Sequence, residues 1–477
     1  MSSLCQNAGS QNDPPKEALA LRDAEMPQLS TILNPQKMLN LLRKALRPTG
    51  EGHYHIYEVT DCKVERFRYR KGDRIIVQYQ LTLYDQLTKH SKNLWVSGIS
   101  RNKLKPVLKR YKRIISSGEW WNSCLSSLVF EPVLYLPDLK LLLQLYPQDY
   151  HLPTLPLLLN GHLKMCEMLI LSQLGQDWQI MESKLELIRY RPLQAATFRC
   201  AYEAKPLHKK EQFKKNFYFK LFKGDEGRSA FEDLFQFKAV FPLREKGIHV
   251  LNALSYSSQL KTLILEEAPG IPLRAFILNG LSIQYPLAKT AEALAEFHLS
   301  SCSFLKKQSR KERFHPLEKA IRFIQDVCPE HHEKLHQILF EIQARLEEVT
   351  LCPTHLDLKP EHIFIDGLRV TFIDLDAAAM SDPVYDIASL IARIAFLSES
   401  GQIPQTITHR AVRVLKTRYF SQVPRSWKER LIPNYCCASL KIACYLLQHQ
   451  EAEAKTRVAL ILNKCVQQLS QEERETP

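Results

Sequence analysis

Residues Thr354 to Leu390 read THLDLKPEHIFIDGLRVTFIDLDAAAMSDPVYDIASL, and the reading of this stretch decides the fold. Asp357 and Asp374 bracket an apolar ribbon, His362-Ile-Phe-Ile365, a turn at Asp366-Gly367, and a second run, Val370-Thr-Phe-Ile373. An Asp-Gly pair between two alternating β-branched and aromatic runs is a strong local hairpin signal. The hairpin brings a loop carrying Asp357 beside the strand end carrying Asp374. Two carboxylates placed in this way suit a divalent cation and a proton acceptor, the requirements of phosphoryl transfer from a nucleotide.

Working outward, 477 residues with 45% hydrophobic content exceed one ordinary core, so two or three domains are expected. A formal net charge of +14 favours anionic partners such as nucleotides, nucleic acid or phosphorylated metabolites, without choosing among them. Twelve cysteines are scattered, only Cys436-Cys437 being close in sequence, and the start of the chain lacks a basic region followed by an apolar one. Free thiols in a reducing, cytoplasmic setting are therefore expected. The most apolar run, Leu139 to Leu159, is interrupted by Lys140, Asp149, His151 and prolines, which excludes a membrane span there.

Upstream, helical periodicity starts at Pro35, followed by strands Val64 to Arg70 and Arg74 to Tyr79, the run Lys92 to Ser97, a basic helix-like segment Lys103 to Ile115 and a strand near Asp138 to Leu143. The order then recurs. Lys164 to Leu169 resembles Lys37 to Leu42, Ile188 to Arg191 resembles Phe67 to Arg70, Lys215 to Lys220 resembles Lys92 to Ser97, and Leu260 to Leu265 resembles Leu139 to Gln144. Four matches at nearly one offset argue for a duplicated α+β unit of about 120 residues. The copies differ where chemistry would sit. Lys220 lies in the aromatic strand Phe217-Tyr-Phe-Lys220, where the aligned residue of the first copy is Ser97. A lysine in an apolar strand needs an anion, and Glu232 on the next helical stretch is a candidate partner; a surface lysine at a strand end is the other reading.

The motif itself resembles a known family. His355-Leu-Asp-Leu-Lys-Pro-Glu-His362 is similar to the protein-kinase catalytic loop, and Asp374-Leu-Asp376 stands where a metal-binding D-F-G would. Ser381-Asp-Pro-Val-Tyr-Asp-Ile-Ala388, Pro269-Gly-Ile-Pro-Leu273 and Ala293-Leu-Ala-Glu-Phe-His298 resemble instead the aminoglycoside and choline phosphotransferases, over roughly Lys164 to Gln468. The resemblance implies an α+β, bilobal protein-kinase-like fold, with a small β-rich lobe and a mainly helical large lobe, preceded by a duplicated small-lobe-like module. Residues 1–34 would be a disordered tail, 35–157 the degenerate module, 158–268 the small lobe, 269–470 the large lobe with the catalytic hairpin, and 471–477 a second tail.

Carried across, the resemblance implies an ATP- and magnesium-dependent kinase acting on a small-molecule hydroxyl. Asp357 would accept the hydroxyl proton, Lys359 would contact the transferred phosphate, and His355 would brace the loop. Asp374 would hold Mg2+ together with His362. Lys220, fixed by Glu232, would reach the α- and β-phosphates, and Glu266, Glu267 and Ala268 would present backbone groups to adenine. Asp382 and Asp386 would tie the loop to the next helix. The chain departs from the pattern at His362, where asparagine is expected, and at Leu356, where glycine or arginine is usual. Two further readings stand beside the kinase: a pseudokinase that binds nucleotide or acts as a scaffold, and a basic nucleic-acid-associated protein reading through Lys109 to Arg113 and Lys209 to Lys215.

Overall fold

The computed structural model describes residues 21–47, 56–103, 130–159, 178–206, 213–280, 282–302, 305–346 and 348–475, with scattered positions in 105–113 and 167–171. Residues 1–20 of the expected tail lie outside them, as do parts of the repeat match at 164–169 and of the basic runs at 109–113 and 209–215. Among the described residues no helix is long and apolar enough to cross a membrane. The chain divides into two compact units. The first comprises Met1–Gly227, Leu254–Ile264 and Leu446–Ala454, and the second comprises Arg228–Ala253, Leu265–Tyr445 and Lys455–Pro477.

The first unit is built on two five-stranded sheets. One contains β1 (Tyr57–Arg70), β2 (Arg74–Asp85), β3 (Ser91–Arg101), β4 (Val133–Leu136) and β5 (Leu141–Leu145) in the order β1-β2-β3-β5-β4. The other combines β6 (Trp178–Arg191), β7 (Ala195–Pro206) and β8 (Phe213–Phe222) with two later strands. β2 and β7 bury every second residue in the same pattern, as alternation of apolar and polar residues dictates. Tyr202, Phe217 and Phe219 fill the core of the second sheet. Residues 21–34, assigned to the tail from sequence, are folded: helix Leu29–Ile32 packs with Met26 and Ile32 fully buried. Their apolar residues are spaced too sparsely to announce a core in advance.

One device occurs twice in this unit. Asp23 Oδ2 accepts the Tyr69 hydroxyl at 2.6 Å and the Gly72 N–H at 2.8 Å. Asp149 Oδ2 accepts the Tyr190 hydroxyl at 2.9 Å and the Leu193 N–H at 2.7 Å. Gly72 and Leu193 are the middle residues of the β1–β2 and β6–β7 turns, with φ of 63° and 64°. Counted from the two hairpin tips, Ile76 and Thr197 occupy the same step, and their partners on the next strand are Ile99 and Lys220. Counted this way the counterpart of Lys220 is Ile99, not Ser97, two residues from the sequence alignment.

The second unit is dominated by helices. Helix Glu226–Val240 leads into β9 (Gly247–His249), after which come the strands β10 (Ala253–Ser257) and β11 (Thr262–Glu266) that complete the second five-stranded sheet. β12 (Ile271–Pro272) then opens helices Leu273–Asn279, Gln284–His298, Arg310–Val327 and His332–Arg345. Ser309 and Glu312 form a capping box that starts the third of these. β13 (Cys352–Thr354), β14 (Ile363–Asp366), β15 (Arg369–Phe372) and β16 (Ala379–Ser381) carry the quoted stretch, followed by helices Val384–Glu399, Gln405–Phe420, Leu431–Gln448 and Ala454–Glu475.

Two ladders position that stretch. β14 and β15 form the antiparallel hairpin, turning at Gly367 with φ 57°, and lie in a sheet of order β12-β14-β15-β9. β13 pairs with β16, Cys352 opposite Ser381 and Thr354 opposite Ala379, so the stretch enters and leaves on one ladder. Beneath it, Phe237, Phe297 and Phe372 join Ile363, Val384 and Ile387 in one core. The architecture is α+β, with a strand-rich unit followed by a helix-rich one.

Candidate active site

The hairpin converges three side chains. One ligand atom from each of Asp357, His362 and Asp374 lies within 4.8 Å of the others. Asp357 sits on the loop after β13, and Asp374 follows β15 in a left-handed conformation, φ 63°. His362 ends a short 3-10 turn, Pro360–His362, that leads into β14. Lys359 directs its ammonium to within 3.4 Å of Asp357 Oδ2.

The hydrogen bonds of His362 fix what it can do. Its Nδ1 lies 3.0 Å from the Asp357 carbonyl oxygen. A carbonyl only accepts, so Nδ1 carries the proton. Burial, with the Lys359 ammonium adding to it, pushes the His362 imidazole down to about 3, so the ring is neutral near pH 7. Its Nε2 therefore presents a lone pair, 3.6 Å from Asp374 Oδ2. A neutral imidazole lone pair beside a carboxylate is a ligand pair a divalent metal accepts. The donor set fits a metal. For Asp357, desolvation works against the charge, yet the Lys359 ammonium leads the groups that outweigh it and hold the carboxyl below its ordinary value.

A second layer of groups holds the loop. His355 is fully buried, donates from Nε2 to the Ile373 carbonyl at 2.9 Å and stacks on His362, ring centroids 5.9 Å apart. Asp386, in the first turn of helix Val384–Glu399, accepts the backbone N–H of His355 at 2.6 Å and of Leu356 at 2.8 Å. That grip sustains Leu356 at φ 65°, a conformation that a branched side chain adopts at a cost of about 1–3 kcal/mol. Behind Asp386 stands His298, 3.1 Å from Oδ2 through Nε2, with its Nδ1 2.6 Å from the Tyr419 hydroxyl. Asp382 accepts the Val384 N–H at 3.2 Å and the Asn434 amide at 2.7 Å, and lies 3.2 Å from Arg430.

Sequence reasoning named Asp357, His355, Lys359, His362 and Asp374, and the structure brings these five together. It placed Asp382 and Asp386 in a tying role, and their hydrogen bonds are those of ties. It missed Tyr419, Arg430 and Asn434, which come from distant helices and carry no local signal; His298 was quoted only as part of a motif. Lys220 is half-buried on β8, with Nζ 5.6 Å from the Phe222 ring centroid, and belongs to the first unit. Glu232 belongs to the second unit and is exposed on helix Glu226–Val240. Glu266 ends β11, its N–H bonded to the Asn252 carbonyl at 3.1 Å, and Glu267 and Ala268 follow it. Immediately after them, Gly270 has φ 91°, and a Cβ there would lie 2.2 Å from the Ile365 carbonyl oxygen, so only glycine fits.

The hairpin and the loop before it gather two carboxylates, an imidazole and an ammonium. Residues 215–415 match the phosphotransferase enzyme family. Protein LicA of Haemophilus influenzae strain Rd is 26% identical over 182 residues, covering 35% of this chain and 67% of that protein. A second H. influenzae LicA is 25% identical over 182 residues, of which the match covers 53% of its length. Among solved structures, choline kinase LicA from Streptococcus pneumoniae has 16% identity and a TM-score of 0.42, covering 65% of this chain and 100% of that one. Aminoglycoside phosphotransferase APH(2'')-Ib, with ADP bound, has 16% identity and a TM-score of 0.40, over 63% and 96%.

Proposed function

We propose that this chain is an ATP- and magnesium-dependent phosphotransferase that moves the γ-phosphate to a hydroxyl of a small molecule, giving a phosphate ester, ADP and a proton. The observation that carries it is the gathering of Asp357, Lys359, His362 and Asp374 on one hairpin. Asp357 is a carboxylate at neutral pH and is 44% exposed, so it can take up the hydroxyl proton. Lys359 sits beside it to neutralise the transferred phosphate, and His355 holds the loop from behind. Magnesium would be held by Asp374 and His362, and its charge would stabilise the phosphate oxygens. Lys220, oriented by Glu232, is the proposed contact to the α- and β-phosphates, and the backbone of Glu266 to Ala268 the contact to adenine.

The test is ATP- and magnesium-dependent phosphate incorporation into a panel of alcohols. Asp357→Ala should reduce turnover by roughly two to four orders of magnitude while leaving ATP binding in place. One observation favours a second reading: His362 supplies nitrogen where magnesium prefers oxygen. On that reading the chain binds nucleotide without transferring phosphate. Tight ATP binding with no incorporation into any alcohol, unchanged in Asp357→Ala, would select it.

We also propose that residues 35–157 form a duplicated, lysine-less copy of the small lobe at 158–268, ahead of the large lobe at 269–470. The matched strand orders, the two aspartate clasps on Gly72 and Leu193, and the left-handed Lys140 and Lys261 that precede β5 and β11 support it.

A further inference from the structure

Four helices of the second unit line a cleft of about 990 Å³ that the proposed chemistry does not use. Clefts that hold small molecules run to roughly 300–1,000 Å³. Helix Val384–Glu399 contributes Ile391 and Glu399, and helix Gln405–Phe420 a face from Thr408 to Thr417. Helix Leu431–Gln448 adds its first turn and helix Ala454–Glu475 adds Lys464. None of Asp357, His362 and Asp374 lines the cleft. Asp386, which holds the catalytic loop, stands in the first turn of helix Val384–Glu399, and the helical rise sets Glu399 about 20 Å further along the axis.

The walls have two kinds of chemistry. Ile391, Ile403 and Leu431 are buried and form an apolar floor. His409, Arg413 and Lys416 also line the cleft, and steps of four and three residues put them in one row along helix Gln405–Phe420. Among the described residues, no hydrogen bond, ion pair or ring contact engages these three side chains. Glu399 is the acid among the lining residues, and it is already held by Lys464 at 3.2 Å. The row of cations therefore has no counter-charge of its own in the cleft. Thr408, on the same face of the helix, is 8% exposed, and its Oγ1 is buried without a hydrogen-bond partner. A buried hydroxyl left unpaired is costly, which favours a ligand that accepts from it.

We infer that this cleft binds an amphiphilic anion, an apolar chain carrying a phosphate or carboxylate, with the anionic group on Arg413 and Lys416 and the chain on Ile391, Ile403 and Leu431. The inference goes beyond the phosphotransferase reading and does not depend on it. Because the side chains of the catalytic hairpin do not reach the cleft, the ligand is not the phosphate acceptor. Charge-assisted contacts from arginine and lysine orient the anionic group, and burial of the chain supplies the remaining affinity. A small inorganic anion would satisfy the cations and leave the apolar floor uncovered.

The test is calorimetric titration of the full chain with octyl phosphate and octanoate, against inorganic phosphate and octyltrimethylammonium. One of the two amphiphilic anions should bind at least about tenfold more tightly than inorganic phosphate, and the ammonium compound should not bind. Replacing both Arg413→Gln and Lys416→Gln should weaken binding about ten- to hundredfold, and Thr408→Val about two- to tenfold. Lys416→Arg, which keeps the charge, should stay within a few-fold of the parent. Asp357→Ala should leave the affinity unchanged. Vesicles containing phosphatidic acid separate the sources: binding that needs Arg413 and Lys416 marks a lipid headgroup, and its absence beside octyl phosphate binding marks a free molecule. No saturable binding of either amphiphilic anion overturns the inference, as does equal binding of the ammonium compound. Undiminished affinity in the double variant overturns it too, and loss of binding in Asp357→Ala would put the ligand in the catalytic site instead. Salt-sensitive binding of an oligonucleotide more tightly than octyl phosphate, lost in the double variant, would overturn it in favour of nucleic acid.

Discussion

At the scale of single residues, His362 decides how the site handles a metal. With Nδ1 donating to the Asp357 carbonyl and Nε2 open towards Asp374, the imidazole is arranged as a ligand. Imidazole suits borderline transition metals better than magnesium. Turnover is therefore expected to be faster with Mn2+ than with Mg2+, and His362→Asn, which restores an oxygen ligand, should move the Mn2+ to Mg2+ ratio of activity towards Mg2+ by about tenfold. Titrating both metals against parent and variant reads this directly. An unchanged ratio would remove His362 from the metal site. The motif residues themselves were legible in the sequence because each lies within a few positions of the next, on a loop and a hairpin with local signals. The groups that hold them were not: Tyr419, Arg430 and Asn434 reach Asp386 and Asp382, directly or through His298, from helices whose relation to the loop exists only after folding.

At the scale of elements, the short strands around the hairpin carry the geometry. β12 pairs with β14, and the chain reaches that ladder through Gly270, pressed against the Ile365 carbonyl. Gly270→Ala combines a clash of a Cβ with backbone and a φ of 91° that alanine resists, so it should destabilise the second unit by roughly 2–4 kcal/mol. A lowered denaturation midpoint reads the effect. On the other edge, β9 pairs in parallel with β15, His249 opposite Thr371. Burial, with Arg369 adding to it, lowers the His249 imidazole from its ordinary value. The unfolded chain then binds a proton at a higher pH than the folded one does. The stability His249 contributes is fully present above about pH 6.5 and is lost as pH falls through the unfolded value towards the depressed folded one. His249→Gln should flatten the decline in stability between about pH 7 and pH 5; superimposable curves for parent and variant would rule His249 out as the source. The hairpin itself was readable from Asp366-Gly367. The ladder β13–β16 was not, because three-residue strands leave almost no periodic trace.

At the scale of the whole molecule, two sheets share one strand order, yet only one carries a lysine at the step where Lys220 faces Thr197. In the other sheet the step belongs to Ile99, packed with Val133 and Leu142. Sequence similarity pointed to Ser97, two residues away, because the Lys-Asn match before each strand does not keep the ladder register. Only hydrogen-bond pairing from the hairpin tips resolves it. The correction sharpens the functional contrast, since an isoleucine in an apolar cluster cannot bind phosphate, whereas a serine hydroxyl could. If β8 contacts nucleotide through Lys220, then hydrogen exchange measured with and without Mg2+ and a non-hydrolysable ATP analogue should slow at β8 and leave β3 unchanged. Lys220→Met should abolish the slowing at β8 and raise KM for ATP, with β3 again unaffected. Protection spreading equally to β3 would give the first sheet a nucleotide site of its own and contradict its reading as a lysine-less copy. Protection at neither strand, with the hairpin at Asp357 and Asp374 still responding, would separate Lys220 from the phosphates and leave Lys359 as the ammonium that meets them.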